Sequence, residues 1–258
     1  MGKFHGMCLI LFAYNTDPHY RLVVAANRDE FYQRPTRRLC FWPEAPDLLA
    51  GQDLQLGGTW LGITRQGRFA AVTNFRQGRR QPSVGLLSRG QLTLDFLLGE
   101  QQPLNYLQQA DPDAYDGFNL LLADQQGLYY GSNRNDQSPK ELEPGVYGLS
   151  NASLDTPWPK VREAREELGN LIEQGELSVD NLLKLLQHNQ KPADDQLPDT
   201  GVGLEWERLL SPRFIRSEDY GTRSSLVLLQ RYDGHTEVVE QSYLPEWQKP
   251  QGHCFSTT

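Results

Sequence analysis

The sequence has few cysteines, an excess of negative charge and no long apolar run. Its three cysteines, Cys8, Cys40 and Cys254, show no paired spacing. This argues against a disulfide framework and favours a reducing compartment, so we expect a cytoplasmic protein. The formal net charge of -8 argues against a general nucleic-acid surface, because phosphate binding relies on clustered Lys and Arg. Since no stretch approaches the roughly 20 apolar residues of a membrane span, we expect no span.

The length and composition indicate one folded domain. A chain of 258 residues is near the upper size for one hydrophobic core. An apolar fraction of 38% and an aromatic fraction of 10% are typical of a chain that folds. We therefore predict a single domain over residues 7–258. Residues 1–6 show no periodicity and resemble an expression leader or an alternative upstream start.

Short apolar runs separated by turn residues predict a series of β-hairpins. The predicted strands are 8–14, 21–26, 57–63, 68–73, 118–123, 128–131, 146–150, 224–232 and 235–243. Helices are predicted from Ser88 to Leu98, from Thr156 and from Ser178, and a long loop over 191–203. Strand pairs, two helices and a final strand pair together indicate an α+β fold whose sheets are covered by helices.

Cys8 follows Met7 at the start of the first apolar run. If Met7 is the native start, its removal leaves Cys8 with a free α-amine beside its thiol. An α-amine titrates near ~8, so the nucleophile and its proton acceptor would lie on one residue. The alternative is that Cys8 is a buried thiol in a core strand, which is a common environment for cysteine.

Several short motifs follow one another along the chain: Cys8 behind Met7, Asn27-Arg28-Asp29-Glu30-Phe31, Gly57 to Gly62, Thr73-Asn74, Ser88-Arg89-Gly90, Gly117 to Leu120, Gly148 to Asn151 and Gly221-Thr222-Arg223. Together they resemble the NRDE (transport and Golgi organisation protein 2) family. The resemblance runs from Met7 to about Tyr243, and residues 1–6 depart from it. It implies a four-layer αββα sandwich similar to N-terminal nucleophile hydrolases. It also implies a role in intracellular haem handling, with haem-donor or haem-acceptor proteins as partners.

Six residues of these motifs also resemble the catalytic set of cysteine N-terminal nucleophile amidases. They are Cys8, Arg28, Asp29, Asn74, Asn151 and Arg223, and we expect them to converge on one cleft. In that scheme the Cys8 sulfur attacks a carbonyl, Asn151 and Asn74 donate to the oxyanion, and the two arginines lower the thiol pKa. The predicted chemistry is cleavage of an amide C–N bond.

The tetrapeptide itself leaves alternatives open. Arg28 and Asp29 equally fit a buried ion pair that orders the second strand. Asp29 is predicted to orient the Cys8 amine or Arg28. Glu30, by strand alternation, is predicted to point to the opposite face.

A second group of residues is a candidate ligand site. Arg76, Arg79, Arg80 and Arg89 form a local basic cluster, which is either a solvated surface or a site for the carboxylates or phosphates of an amphipathic ligand such as haem. Trp60, after two glycines, fits either a packing role or a ligand contact.

The sequence offers no recognisable metal site. The candidate haem-iron ligands are Cys8, His19, His188 and His253, with no attachment motif of the Cys-x-x-Cys-His kind. Each histidine also fits an exposed surface position, and no cluster has zinc-site spacing. Two hypotheses therefore stand: a haem-binding and trafficking protein, implied by the family resemblance, and a cysteine amidohydrolase, indicated by the residue set.

Overall fold

The computed structural model of the protein describes residues 6–76, 86–134, 138–243 and 251–256. Within these residues the chain forms two antiparallel sheets and five α-helices. The strands are β1 Met7–Tyr14, β2 Tyr20–Phe31, β3 Thr36–Trp42, β4 Ala45–Asp53, β5 Leu61–Thr64, β6 Phe69–Asn74, β7 Phe118–Ala123, β8 Leu128–Ser132, β9 Lys140–Glu141, β10 Gly145–Leu149, β11 Tyr220–Arg231, β12 His235–Ser242 and β13 Gln251–Ser256. The helices are α1 Arg89–Leu98, α2 Pro103–Gln109, α3 Pro159–Glu173, α4 Val179–Leu186 and α5 Leu204–Leu210.

The two sheets stack face to face between two layers of helices. The first sheet has the strand order β10-β1-β2-β11-β12-β13, and the second has the order β3-β4-β5-β6-β7-β8-β9. Apolar side chains of both sheets form the central core, α3 and α4 pack on the outer side of the first sheet, and α1 and α2 pack on the outer side of the second. The predicted α+β fold with αββα layers is confirmed. Among the described residues, no helix has both the length and the apolarity to cross a bilayer.

Strand β1 is buried on both faces, as its continuous apolar run predicts. Ile10 and Phe12 point into the core between the sheets, whereas Leu9 and Leu11 point towards α3 and α4. Since side chains alternate along a strand, Cys8 shares the face of Ile10. The first strand therefore carries the thiol to the end of the space between the two sheets.

Strand β2 is longer than predicted. It continues to Phe31, so the tetrapeptide Asn27 to Glu30 lies inside the strand and not after it. Cys8 pairs with Arg28 in the register between β1 and β2, and Ser224 of β11 pairs with Arg28 on the other side. Hydrogen bonds and ion pairs satisfy these polar residues within the sheet, so the strand continues beyond the apolar run over 21–26.

Other boundaries differ for local reasons. β3 and β4 were not predicted, because irregular register shifts between them break the alternation of apolar residues. α3 begins at Pro159, with Trp158 as its N-cap, rather than at Thr156. The loop predicted over 191–203 contains a short 3₁₀ turn, Asp194–Gln196, and α5 follows it directly. Ser178 caps α4 by accepting a hydrogen bond from the Asn181 N–H, as its position predicts.

Asn27 holds the first sheet to the helical layer. Its side-chain amide donates to the carbonyl oxygens of Leu186, at 3.0 Å, and Arg213, at 2.7 Å, while its Oδ1 accepts from Ser225 Oγ at 2.5 Å. The side chain is fully buried. The first residue of the tetrapeptide is therefore structural.

We predict that Asn27→Ala lowers the free energy of unfolding by about 3 kcal/mol, because it leaves buried carbonyl groups without a donor. Urea unfolding followed by circular dichroism measures the change. Asn105→Ala, at an exposed helix position, is the matched control and is expected to change the stability by less than about 0.5 kcal/mol. Equal stabilities of the two variants would contradict the role assigned to Asn27.

Candidate active site

A cleft opens at the end of β1 and β2, between the two sheets. Its volume is about 350 Å³, which lies in the range of small-molecule sites. The residues that line it and carry chemistry are Cys8, Arg28, Asp29, Glu30, Arg34, Asp53, Trp60, Asn74, Arg89, Asp116 and Glu240. We refer to this space as the Cys8 cleft.

Cys8 lies at the inner end of the cleft and is only 7% exposed. Burial, with a smaller contribution from the Asp29 carboxylate, raises the pKa of the Cys8 thiol to about 12. The positive charge of Arg28 and a backbone hydrogen bond from Asp29 oppose this rise. In the chain that retains the residues before it, Cys8 is therefore a protonated, unreactive thiol.

The tetrapeptide alternates between the cleft and the helical layer. Arg28 and Glu30 share the cleft side, with a contact of 3.9 Å between Arg28 Nη2 and Glu30 Oε2, whereas Asp29 Oδ1 accepts from Thr222 Oγ1 at 2.6 Å. Asp29 and Glu30 thus point to opposite faces, as alternation predicts, but it is Glu30 and not the Asp29 carboxylate that shares the cleft side with Arg28. Within the described part of the chain, Arg28 makes its ion pair with Glu30, so the alternative of an Arg28–Asp29 pair is wrong.

Asp29 is a buried carboxylate with one unused oxygen. Its side chain is about 1% exposed, and Oδ2 has no hydrogen-bond partner among the described residues. Burial raises the pKa of Asp29 to about 6, although the charge of Lys160 and the hydrogen bond from Thr222 oppose the rise. An additional cation beside Asp29 would stabilise its charged form.

Sequence reasoning missed Lys160. Its Nζ is buried and donates to the Leu210 carbonyl oxygen at 2.9 Å. Burial lowers the pKa of Lys160 to about 8, while the Asp29 carboxylate opposes this effect. A signal was present, because Lys160 precedes Ala164 and Leu168 at intervals of four residues and therefore lies on the apolar face of α3.

Asn74 lines the cleft, and Asn151 lies behind it, away from the cleft. The side-chain amide of Asn74 donates to the Gly6 carbonyl oxygen inside the cleft. Asn151 is buried, and its amide donates to the Asn74 backbone carbonyl at 2.9 Å. Asn74 therefore presents a donor to the cleft, whereas Asn151 fixes the end of β6 that carries it.

A chain of buried hydrogen bonds joins the two sheets behind Cys8. Ser150 Oγ donates to the Cys8 carbonyl oxygen at 3.0 Å, and Thr73 Oγ1 donates to the Ser150 carbonyl oxygen at 2.7 Å. Asn119 then donates to Thr73 Oγ1 at 3.1 Å and accepts from Tyr130 at 2.8 Å. These bonds fix the position of β1 relative to β6 and β7.

Arg223 does not line the Cys8 cleft. It occupies the bulge of β11 opposite β2, and its Nη1 donates to the carbonyl oxygens of Phe31, Tyr32 and Arg34. The guanidinium thereby holds the turn between β2 and β3. Of the six predicted catalytic residues, Cys8, Arg28 and Asn74 line the cleft. Asp29 also borders it, but its carboxylate faces the helical layer, where it binds Thr222. Asn151 and Arg223 do not line the cleft.

The basic cluster divides in two. Arg89 and Trp60 line the cleft, and Trp60 also packs against both the central core and the core under α1. Arg76 does not line the cleft, because it forms a buried ion pair with Glu207 at 3.1 Å and stacks on Trp158. Arg79 and Arg80 lie outside the described residues.

The structure provides no metal cluster within its described ranges, where no three His, Cys, Asp or Glu side chains come together in a way that could hold an ion. His19, His188 and His253, all in described segments, do not line the Cys8 cleft. Of the four residues proposed from the sequence as iron ligands, Cys8 alone lines the cleft.

The stacked sheets, the two helical layers and a cysteine at the start of the first strand define the N-terminal nucleophile hydrolase fold. A solved mutant of the conjugated bile acid hydrolase from Clostridium perfringens has this fold and matches with a TM-score of 0.54, at 8% sequence identity, over 97% of this chain and 92% of that chain. At this identity the likeness concerns the fold alone.

The chain belongs to the Transport and Golgi organisation 2 family, whose profile matches residues 7–245. It is 40% identical over 261 residues to the Transport and Golgi organization protein 2 homolog of Bos taurus, covering 92% of this chain and 94% of that protein. The human homolog is 36% identical over the same shares of both chains. The resemblance to the NRDE family is therefore confirmed.

We predict that Cys8 resists alkylation in the chain that retains residues 1–7. With a pKa of about 12, its thiolate fraction at pH 8 is on the order of 10⁻⁴. Iodoacetamide labelling followed by peptide mass spectrometry should modify Cys8 at least about 100-fold more slowly than the exposed Cys254. In urea, all three cysteines should react at similar rates. Equal rates in the folded protein would show that Cys8 is not protected.

Proposed function

We propose that the protein is a cysteine amidohydrolase that cleaves the C–N amide bond of a small molecule in the form that begins at Cys8. One observation carries the proposal: the Asn74 side-chain amide donates to a carbonyl oxygen, that of Gly6, inside the cleft that Cys8 lines. A substrate carbonyl would meet the same donor when residues 1–7 are absent. A fixed donor of this kind stabilises the oxyanion that forms during acyl transfer.

Gly6, one of the two described residues before Cys8, lines the cleft. A Cβ atom at Gly6 would lie 2.7 Å from the Asp29 carbonyl oxygen and 2.7 Å from Glu30 Oε2, so this position has space only for glycine. Met7 is buried against Leu210 and Tyr220, and its N–H donates to the Tyr220 hydroxyl at 3.0 Å. Removal of this segment opens the space in front of the thiol.

Asp29 is well placed to hold the new amino terminus. It lies opposite Met7 in the pairing of β1 with β2, and its Oδ2 lacks a partner among the described residues. When Cys8 is the first residue, its α-ammonium satisfies this acceptor. The amine also exchanges protons near neutral pH, because an α-amine titrates near ~8.

The reaction then runs through a thioester. The thiol proton moves to the α-amine, and the Cys8 sulfur attacks the substrate carbonyl carbon while Asn74 donates to the oxygen. As the C–N bond breaks, the α-ammonium gives its proton to the leaving nitrogen, and an acyl group remains on sulfur. A water molecule gives a proton to the amine and attacks the thioester, which releases the carboxylic acid and restores the thiol.

The other predicted residues support these steps. Arg28 lies opposite Cys8, where its positive charge favours the thiolate. Asn151 acts as a positioning residue for Asn74, since it holds the carbonyl of that residue. Arg223 positions the β2–β3 turn, which carries Arg34 at the cleft.

We predict that a β-lactone probe acylates Cys8 at least about 100-fold faster in protein that begins at Cys8 than in the chain that retains residues 1–7, because a peptide nitrogen cannot accept the thiol proton. Intact mass identifies both the true amino terminus and the acyl adduct. Asn74→Ala should slow acylation by about 10²-fold, while the exposed Asn105→Ala should not. Equal rates in the two chain forms would contradict the amidohydrolase proposal.

A second candidate is reversible haem binding for intracellular trafficking, which the NRDE resemblance implies. The observation that favours it is that a guanidinium, Arg89, and an aromatic ring, Trp60, line the same cleft. Arginine binds carboxylates such as propionates, and ring burial supplies apolar stabilisation. Haem-donor or haem-acceptor proteins would be the partners of such a carrier.

For this candidate we predict saturable haem uptake by protein that begins at Cys8, with about tenfold weaker binding in Arg89→Glu because a propionate contact is lost. Titration followed by absorbance measures the affinity. Loss of binding only in Cys8→Ala would make the thiol an axial ligand. If the wild-type protein takes up no more haem than an unrelated acidic protein, the haem candidate is wrong.

A further inference from the structure

We infer that the amide cleaved in the Cys8 cleft carries a carboxylate, which Arg89 binds, and an apolar chain that leaves the cleft over Leu56 and Leu87. The class of substrate is therefore an N-acyl amino acid or a similar anionic N-acyl compound. This inference rests on the proposed function and adds the chemistry of its substrate.

Arg89 is the first observation. It lines the cleft and donates from Nη1 to the Gly117 carbonyl oxygen at 3.1 Å. Burial lowers the pKa of Arg89 to about 10, and the charge of Asp116 opposes this effect. No carboxylate of the described residues comes within 4.0 Å of its guanidinium. The side chain is a cation at neutral pH that lacks an ion-pair partner in the described structure.

The other arginines of the cleft differ in this respect. Arg34 forms an ion pair with Asp53 at 2.6 Å, and Arg28 lies 3.9 Å from Glu30. These carboxylates offset much of the positive charge on that side. An arriving anion is therefore attracted chiefly to Arg89, a partly buried cation that has no ion-pair partner among the described residues.

The position of Arg89 in α1 reinforces this charge. It is the first residue of a ten-residue helix, whose first turn contains no acidic side chain. A helix amino terminus carries partial positive charge, which disfavours arginine and favours an anion. Ser88, the N-cap residue, makes no side-chain capping bond and also lines the cleft.

The second observation is an apolar lip at the cleft mouth, formed by Leu56 and Leu87. Both line the cleft, yet Leu56 is 53% exposed and Leu87 is 56% exposed. Exposed leucines on the rim of a binding cleft favour an apolar ligand. Arg89 is more buried than Leu87, although the two residues are close in sequence. The carboxylate of the ligand therefore binds deeper in the cleft, at Arg89, and its apolar chain lies at the cleft mouth, at Leu87.

The test compares N-octanoylglycine with N-octanoylglycinamide, which differ only in the carboxylate. Binding is measured by calorimetry on the Cys8→Ala variant of the chain that begins at residue 8, so that hydrolysis does not interfere. We expect the carboxylate to bind at least about tenfold more tightly. Arg89→Gln should abolish this preference for the carboxylate, and Arg89→Lys should retain part of it. The control is Arg162→Gln, which removes an exposed ion pair on α3 and should leave the preference unchanged.

The apolar lip is tested with N-acetylglycine against N-octanoylglycine. We expect the longer chain to bind more tightly, and the double variant Leu56→Asn/Leu87→Asn to lose most of that difference. The matched control is the double variant Leu98→Asn/Leu204→Asn, which changes two exposed leucines that do not line the cleft. It should keep the difference in affinity between the two compounds.

Hydrolysis by the chain that begins at Cys8 separates the two proposals. Hydrolysis of both amides at equal kcat/KM, with equal affinity, would overturn the anionic substrate class and leave the amidohydrolase standing. Selective binding of N-octanoylglycine without any hydrolysis would overturn the amidohydrolase and keep the ligand class. Binding of neither compound would overturn the inference.

Discussion

The hydrogen bonds that join the two sheets behind Cys8 are the constraint on which the candidate site depends. Two stacked sheets held only by apolar contacts have little to fix how one lies over the other. Here Ser150 binds the Cys8 carbonyl and is itself held by Thr73, so the ends of β1, β6 and β10 keep one relative position. Because buried polar groups are costly when unpaired, this arrangement is strongly favoured, and it sets the thiol and the Asn74 amide on the same cleft.

The order of apolar runs and turns along the chain was sufficient to predict an α+β fold with sheets covered by helices, because β1, β7, β11 and β12 are buried runs between clear turn signals. The αββα layering itself came from the family resemblance. The sequence did not predict β3 and β4, whose register shifts disturb the apolar pattern, or the extension of β2. An apolar run does not show where its strand ends when polar residues follow it, because the partners of those residues lie almost 200 positions away along the chain.

The candidate site was predictable in composition but not in arrangement. Strand alternation correctly separated Asp29 from Glu30, whereas the ion pair of Arg28 could not be chosen from sequence because both carboxylates are near in the chain. Arg76 belongs to a local basic cluster in sequence, yet Glu207, brought in by α5, draws it into a different environment. The buried Lys160 lies on the apolar face of α3, at the helical spacing of Ala164 and Leu168. A charged residue at such a position predicts a buried charge, and the sequence could have been interpreted in this way.

The tight fit around Gly6 has a practical side. A tag sequence that directly precedes Met7 would put a new residue at this position, where a Cβ atom would collide with the β2 backbone and with Glu30. Such a tag must end in glycine, or the β2 backbone and the Glu30 side chain must shift to make room. The last residue of an amino-terminal tag therefore bears directly on the shape of the Cys8 cleft, which Gly6 and Glu30 both line.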